Sequence, residues 1–249
     1  MNKWDERYDK DDYHYGTTPN DFLKERVQSL LASSGSPAHL LCLADGEGRN
    51  SVYLAKLGAH VTAVDISKVG LEKAERLAQT EGVTIQTHLA DLSECEVPIG
   101  QYDGVVMIFC HLPSKHRPHL YQQIRHALKP GGWLLAENYT EAQFGRGTGG
   151  PPEADLMLSL FEFKDAFPDF ELLHGIETLR DIQEGSGHTG EGAVCQYIGR
   201  KKVQRDAIYQ VSSTRSKSSR KLRYVESSAP EVGECKFCIG SLADDDAKD

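Results

Sequence analysis

No run in these 249 residues approaches the ~20 apolar residues needed to cross a bilayer, so no membrane partner is expected. The leader Met1-Asn2-Lys3-Trp4-Asp5-Glu6-Arg7 lacks the apolar core of a secretory signal, and a cytoplasmic location is expected. Positive charge is scarce: 28 Lys and Arg against 37 Asp and Glu leave a net charge of −9. That balance disfavours a broad phosphate-binding surface, so nucleic acid is not an expected partner, although the basic stretch 215–223 keeps the question open. A disulfide framework is not expected either. Cys42, Cys110 and Cys195 sit in strand-like apolar runs, which suits reduced, buried thiols. Metal ligation is not expected. Cys235-Lys236-Phe237-Cys238 has no second ligand pair, and His116 and His119, which follow His111, fall on the water-facing side of an amphipathic stretch.

What is present is an alternation. Leu40-Leu41-Cys42-Leu43 reads as a buried strand, followed by a turn with Gly46 and Gly48 and a helical pattern from Ser51. Val61 to Asp65 is a second strand ending in a carboxylate, and Ser67 can cap the helix after it. Val83, Ile85, Thr87 and Leu89 alternate as a third strand before Ala90-Asp91-Leu92. The run 104–110 is continuously apolar, as in a central parallel strand. A helix is expected from Ser114 to Leu128, a stop at Lys129-Pro130-Gly131-Gly132, and a fifth strand from Trp133 to Glu137. A helix over 154–167 and two short late strands at 170–173 and 193–198 follow, with glycine-rich loops at 144–152 and 184–190. Repeated βα units predict an α/β, doubly wound, Rossmann-like fold. Its sheet is seven-stranded and mostly parallel, with an antiparallel last strand. The expected domain is 1–202, with an aromatic N-terminal segment and helix over 1–35 that either tethers itself to the body or covers a ligand. Residues 203–249 read as a polar, disordered C-terminal tail.

The glycine turn plus an acid about twenty residues on is a nucleotide-type site. A dinucleotide fingerprint needs a third glycine, where this chain has Ser51. Asp45 and Glu47 in the turn would repel a pyrophosphate and suit a ligand with a positive centre and no phosphate. S-adenosylmethionine is such a ligand.

Taken in order, the glycine turn, Asp65, Ala90-Asp91-Leu92 and Leu128-Lys129-Pro130-Gly131-Gly132 resemble a class I S-adenosylmethionine-dependent methyltransferase. Trp4-Asp5-Glu6-Arg7-Tyr8, the run 15–23 and Cys110-His111-Leu112-Pro113 are similar to the tellurite-resistance (TehB-like) branch, which is itself similar to small-molecule thiol methyltransferases. The resemblance covers residues 1 to about 200. It departs from the pattern at Cys42, where the family has an acid, and at Ala44, where it has its first glycine.

The resemblance implies S-adenosylmethionine as cofactor. It implies that Gly46 and Gly48 let the backbone meet the methionine part, that Ala44, Asp45 and Asn50 belong to the same cofactor site, and that Asp65 receives the ribose hydroxyls. Asp91 would meet the adenine amino group, with Ile66 and Leu92 on the ring. Phe109 and Cys110 would border the methyl group. Candidate substrate-side residues are His111, Tyr139, Arg146 and His188, and no residue is expected to be catalytic with certainty. The expected reaction is methyl transfer to a small molecule, a thiol or a tellurite or selenite oxyanion. A macromolecular acceptor, a NAD-dependent oxidoreductase and a non-catalytic binding protein are the alternatives.

Overall fold

The computed structural model describes residues 2–203, 208–216 and 219–227. The chain divides into two units, Met1–Lys202 and Val203–Asp249.

The first unit begins with a short helix, α1 (Lys3–Tyr8), capped by the Asn2 side chain. Helix α2 (Asp21–Leu31) follows, capped by Asn20, and buries Phe22, Leu23, Val27 and Leu30 along one stripe. The alternation then runs β1 (His39–Leu43), α3 (Arg49–Lys56), β2 (His60–Asp65), α4 (Lys68–Thr80), β3 (Gln86–Leu89), β4 (Tyr102–Ile108), α5 (Arg117–Ala127) and β5 (Leu128–Tyr139). The unit closes with α6 (Leu160–Ala166), β6 (Phe170–Glu184) and β7 (His188–Lys201).

The seven strands are ordered β3-β2-β1-β4-β5-β7-β6. The first five pair in parallel, and β7 runs antiparallel to both β5 and β6. This is the mixed sheet expected from the sequence. The chain winds outward from β1 through β2 to β3, then returns to the other side of β1 with β4. That reversal opens a crevice at the carboxyl ends of β1 and β4.

Side chains alternate across the sheet and build two cores. Leu41 and Leu43 join Val105, Met107, Ile124 and Phe163 on one face. Leu40 and Cys42 join Leu23, Val27, Val106 and Trp133 on the other. Trp133 is 1% exposed and lies over Gly104, where an added Cβ would come within 2.3 Å of the indole.

Several boundaries differ from the sequence expectation. The stop expected at 129–132 lies within β5, whose pairing with β4 shifts register between Tyr102 and Gly104. The helix expected over 154–167 is a single 3-10 turn, Ala154–Leu156, followed by extended backbone and then α6. Ser159 restarts the helix by accepting the Glu162 amide, and Leu158 instead donates its amide to the Tyr139 carbonyl. The loop expected at 184–190 is mostly strand. Pairing of β6 with β7 continues to Glu184 and His188, leaving only 185–187 as the turn.

In the second unit, β8 (Ile208–Ser216) and β9 (Ser219–Ser227) pair antiparallel, where the sequence reading expected a disordered tail. Cys235 and Cys238 lie outside the described residues. Among the described residues, no helix is long and apolar enough to cross a membrane.

Candidate active site

The turn after β1 carries the first functional groups. Ala44 (φ 52°) and Gly46 (φ 61°) both take left-handed backbone, which costs an alanine about 1 kcal/mol or more. Phe109, just past β4, does the same at φ 50°. These two non-glycine positions lie just past the carboxyl ends of the neighbouring strands β1 and β4, and strained backbone of this kind gathers at functional sites.

Asp65 ends β2 and is fixed by two backbone amides, Gly46 N–H at 2.8 Å and Ser67 N–H at 2.8 Å. Burial raises its pKa against the pull of those amides. Asp45 accepts from the Ser51 hydroxyl and, at 3.3 Å, from the Ser51 amide. The serine at the missing-glycine position therefore holds the turn's carboxylate. Burial, with Asp65 nearby, pushes the Asp45 carboxyl up to about 6.

These groups open onto one cleft. Its floor and walls include Ala44, Asp45 and Asn50 after β1, Asp65 and Ile66 after β2, and Asp91 and Leu92 after β3. Phe109, Cys110 and His111 after β4 and His188 at the start of β7 complete the far side. Eleven of the sequence-named positions thus converge on one cavity.

Four do not line it. Gly46 and Gly48 lie behind the wall. An added Cβ on Gly46 would stand 2.7 Å from the Tyr8 hydroxyl, and one on Gly48 2.5 Å from the Ala74 Cβ. Their lack of a side chain lets α1 and α4 pack closely, and any contact of Gly46 with a ligand is through backbone. Tyr139 is wholly buried one layer back, with its ring 4.6 Å from Phe109 and 5.3 Å from His188. Arg146 faces away and pairs with Glu191 at 2.7 Å. It cannot attract an acceptor into the cleft from there.

Trp4, Tyr8 and Tyr15, from the aromatic N-terminal segment that the sequence offered as a tether or a cover, also line the cleft; the groups that anchor them were not foreseen. These anchors are polar. Asn2 donates to the Ile66 carbonyl at 2.9 Å, and Asp5 accepts from the Ser67 hydroxyl at 2.7 Å. Lys73, on α4, donates to the carbonyls of Tyr8, Lys10 and Asp12 and pairs with Glu47 at 2.5 Å. Glu47 is therefore neutralised away from the cleft, and Asp45 is the turn's remaining free acid.

Below the cleft lies a buried charge network. Arg49 donates to Glu184 at 2.7 Å, and Arg180 reaches Glu137 at 2.5 Å and Glu184 at 3.1 Å. Asn20 bridges Glu137 and Glu184 at 2.7 and 2.9 Å. Burial alone would raise the Glu184 carboxyl, but Arg49, His188 and Arg180 hold it well below its usual value. Arg180 and Glu184 are four residues apart, but the contacts that join them to Glu137, Arg49 and Asn20 span 43 to 164 residues, beyond the reach of any local pattern. Both histidines of the far wall are neutral at pH 7. Burial pushes His111 down to about 4, opposed by its contact with the Leu156 carbonyl. Burial also lowers His188, opposed by Glu184.

Residues 40–132 match a family model described as a methyltransferase domain. Over 151 residues the chain is 25% identical to "Probable S-adenosyl-L-methionine-dependent methyltransferase TehB" of Haemophilus influenzae, covering 60% of this chain and 51% of that protein. It is 30% identical over 118 residues to "Uncharacterized methyltransferase YodH" of Bacillus subtilis, covering 46% and 48%. The chain spans about half the length of the curated relatives it matches. The solved structure of TehB from Haemophilus influenzae has the same fold, with a TM-score of 0.56 over 73% of this chain and 66% of that one at 23% identity.

Proposed function

We infer that this chain, which carries a class I S-adenosylmethionine-dependent methyltransferase domain of the TehB-like branch, moves the methyl group of that cofactor to a small-molecule nucleophile. The observation that carries the reading is Asp65. Its carboxylate, held by two amides at the end of β2, keeps lone pairs free on both oxygens for the two hydroxyls of a ribose.

The donor set fits this cofactor better than a dinucleotide. Asp45 faces the cleft at the first turn, where a carboxylate favours an ammonium or sulfonium and repels a pyrophosphate. Asp91 and Leu92 after β3 and Ile66 after β2 line the same cleft, and this reading assigns them to the adenine amino group and ring. Asn50 accepts the Asn20 backbone N–H through its side-chain oxygen at 3.0 Å, which ties the start of α2 to the turn. When bound, S-adenosylmethionine supplies an electrophilic methyl on a positive sulfur that departs neutral.

The chain's own contribution is then placement and exclusion of water. Phe109, Cys110 and His111 bound the space beyond Asp65, and Trp4, Tyr8 and Tyr15 cover it. Aligning two reactants in such a closed site supplies up to roughly 7–11 kcal/mol in favourable cases. The aromatic far wall suits a small, soft acceptor, a thiol or a tellurite or selenite species, more than an extended polymer. A cytoplasmic location belongs to the same proposal. Calorimetric titration with S-adenosylmethionine and S-adenosylhomocysteine, followed by an acceptor screen, tests the reading. Binding without turnover of any small acceptor would favour a macromolecular one.

A further inference from the structure

Five aromatic rings meet at the far end of the cleft. The ring of His188 lies 4.6 Å from Phe109, 4.6 Å from Tyr15 and 5.3 Å from Tyr139. His111 stacks on Tyr139 at 6.1 Å. His188 is 4% exposed and lines the cleft. Its two nitrogens are not equivalent. Nδ1 is sealed from solvent and makes no hydrogen bond, but it stands within ion-pair range of Glu184, 3.5 Å from Oε2. Nε2, on the opposite edge, has no hydrogen-bond partner among the described residues. Glu184 is itself fixed by Arg49 and Asn20. A carboxylate beside Nδ1 favours the tautomer with its proton there, which leaves a lone pair on Nε2.

The charge on the cleft wall explains why a base is needed. Arg49 is the one cation lining the cleft among the described residues, and Glu184 already matches it. Asp45, Asp65 and Asp91 line the same space. An anionic acceptor would enter against those carboxylates, whereas a neutral protic one would not. Such an acceptor keeps its proton until it is bound and must lose it inside.

We propose that His188 is the proton acceptor of the methyl-transfer step, with Glu184 as its positioning residue, and that the acceptor enters as a neutral, protic nucleophile. This rests on the methyltransferase reading above. For a thiol acceptor, the S–H bond breaks and its proton goes to Nε2. The sulfur pair forms the new S–CH₃ bond, and the old C–S bond returns its pair to the departing sulfur, which becomes a neutral thioether. The histidine gains one positive charge as the sulfonium loses one. Glu184, 3.5 Å from Nδ1, stabilises that charge where it forms.

The test uses the full chain and three readouts. Nitrogen-15 spectra of the imidazoles are expected to show His188 as the Nδ1-protonated tautomer, with that preference lost in E184Q. A His188 protonated at Nε2 in the wild type overturns the assignment. Turnover is then compared for 2-mercaptoethanol, protonated at neutral pH, and 4-nitrothiophenol, already ionised. H188Q is expected to lower kcat/KM by a hundredfold or more for the first, in the range of general-base catalysis, and by less than about tenfold for the second. Equal losses for both thiols, or wild-type turnover of tellurite but of neither thiol, overturn the proposal. S-adenosylhomocysteine titration of wild type and H188Q separates the two levels. Binding by both keeps the methyltransferase reading whatever the kinetics give, and no binding by the wild type removes that reading itself.

Discussion

Gly46 donates its amide to Asp65 at 2.8 Å, so the turn after β1 and the acid ending β2 are one unit. The same turn is locked from its other side by Ser51 on Asp45. A ligand meeting Asp65 therefore meets a preformed loop, and the entropy of ordering that loop is spent in folding.

Asp45 is held at a cost in stability. Its pKa rises from 3.8 to about 6, so the folded chain binds that proton more tightly than the unfolded one. The stability it contributes is complete below pH 3.8 and is lost as pH rises through about 6, a difference on the order of 3 kcal/mol. D45N is expected to be more stable than wild type at pH 8, by about 1–3 kcal/mol in urea denaturation, and nearly equal at pH 4. Its affinity for S-adenosylmethionine should fall, since the acid facing the cofactor's positive end is gone.

Gly48 serves packing. G48A would place a Cβ 2.5 Å from the Ala74 Cβ and force alanine to φ 91°. Overpacking and left-handed strain together should cost roughly 2–5 kcal/mol, measured as a lower urea midpoint with an unchanged slope. An unchanged midpoint would mean that α3 and α4 separate freely.

Lys73 fastens the cover. K73M removes donors from three carbonyls of residues 8–12 and leaves Glu47 buried without its partner, the kind of loss that costs about 3–5 kcal/mol. Hydrogen exchange should speed up across residues 4–15 before the rest of the domain, because the anchors of α1 are polar and few. Uniform acceleration throughout the domain would contradict a separately held cover.

Arg146 is expected to be silent. Its partner Glu191 is 62% exposed, and exposed pairs contribute about 0–1 kcal/mol. R146A should leave stability within about 0.5 kcal/mol of wild type and the acceptor KM unchanged. A large rise in KM would restore the anion-attracting role read from the sequence.

The doubly wound, mostly parallel sheet and the strand-end positions that line the cleft were legible because local signals govern them. The apolar run 40–43, the paired glycines and the acids at 65 and 91 each sit within a few residues of the strand end that positions them. The sequence named two loop residues alike and could not tell which one enters the cleft. Arg146 and His188 both lie among glycines, yet hairpin pairing carries His188 inward as the first residue of β7 while Arg146 points to Glu191. The network of Asn20, Arg49, Glu137, Arg180 and Glu184 was hidden for a related reason. Each member looks like an ordinary surface residue until the fold joins them.

The most direct measurement is calorimetric titration of the wild type and D65A with S-adenosylmethionine, S-adenosylhomocysteine and NADH. The wild type should bind both adenosyl ligands and not NADH. D65A should lose about 2–4 kcal/mol of that affinity, as expected when hydrogen bonds to a charged group are removed. NADH binding by the wild type, or adenosyl ligands held equally well by D65A, would contradict the assignment of Asp65 and the methyltransferase reading built on it.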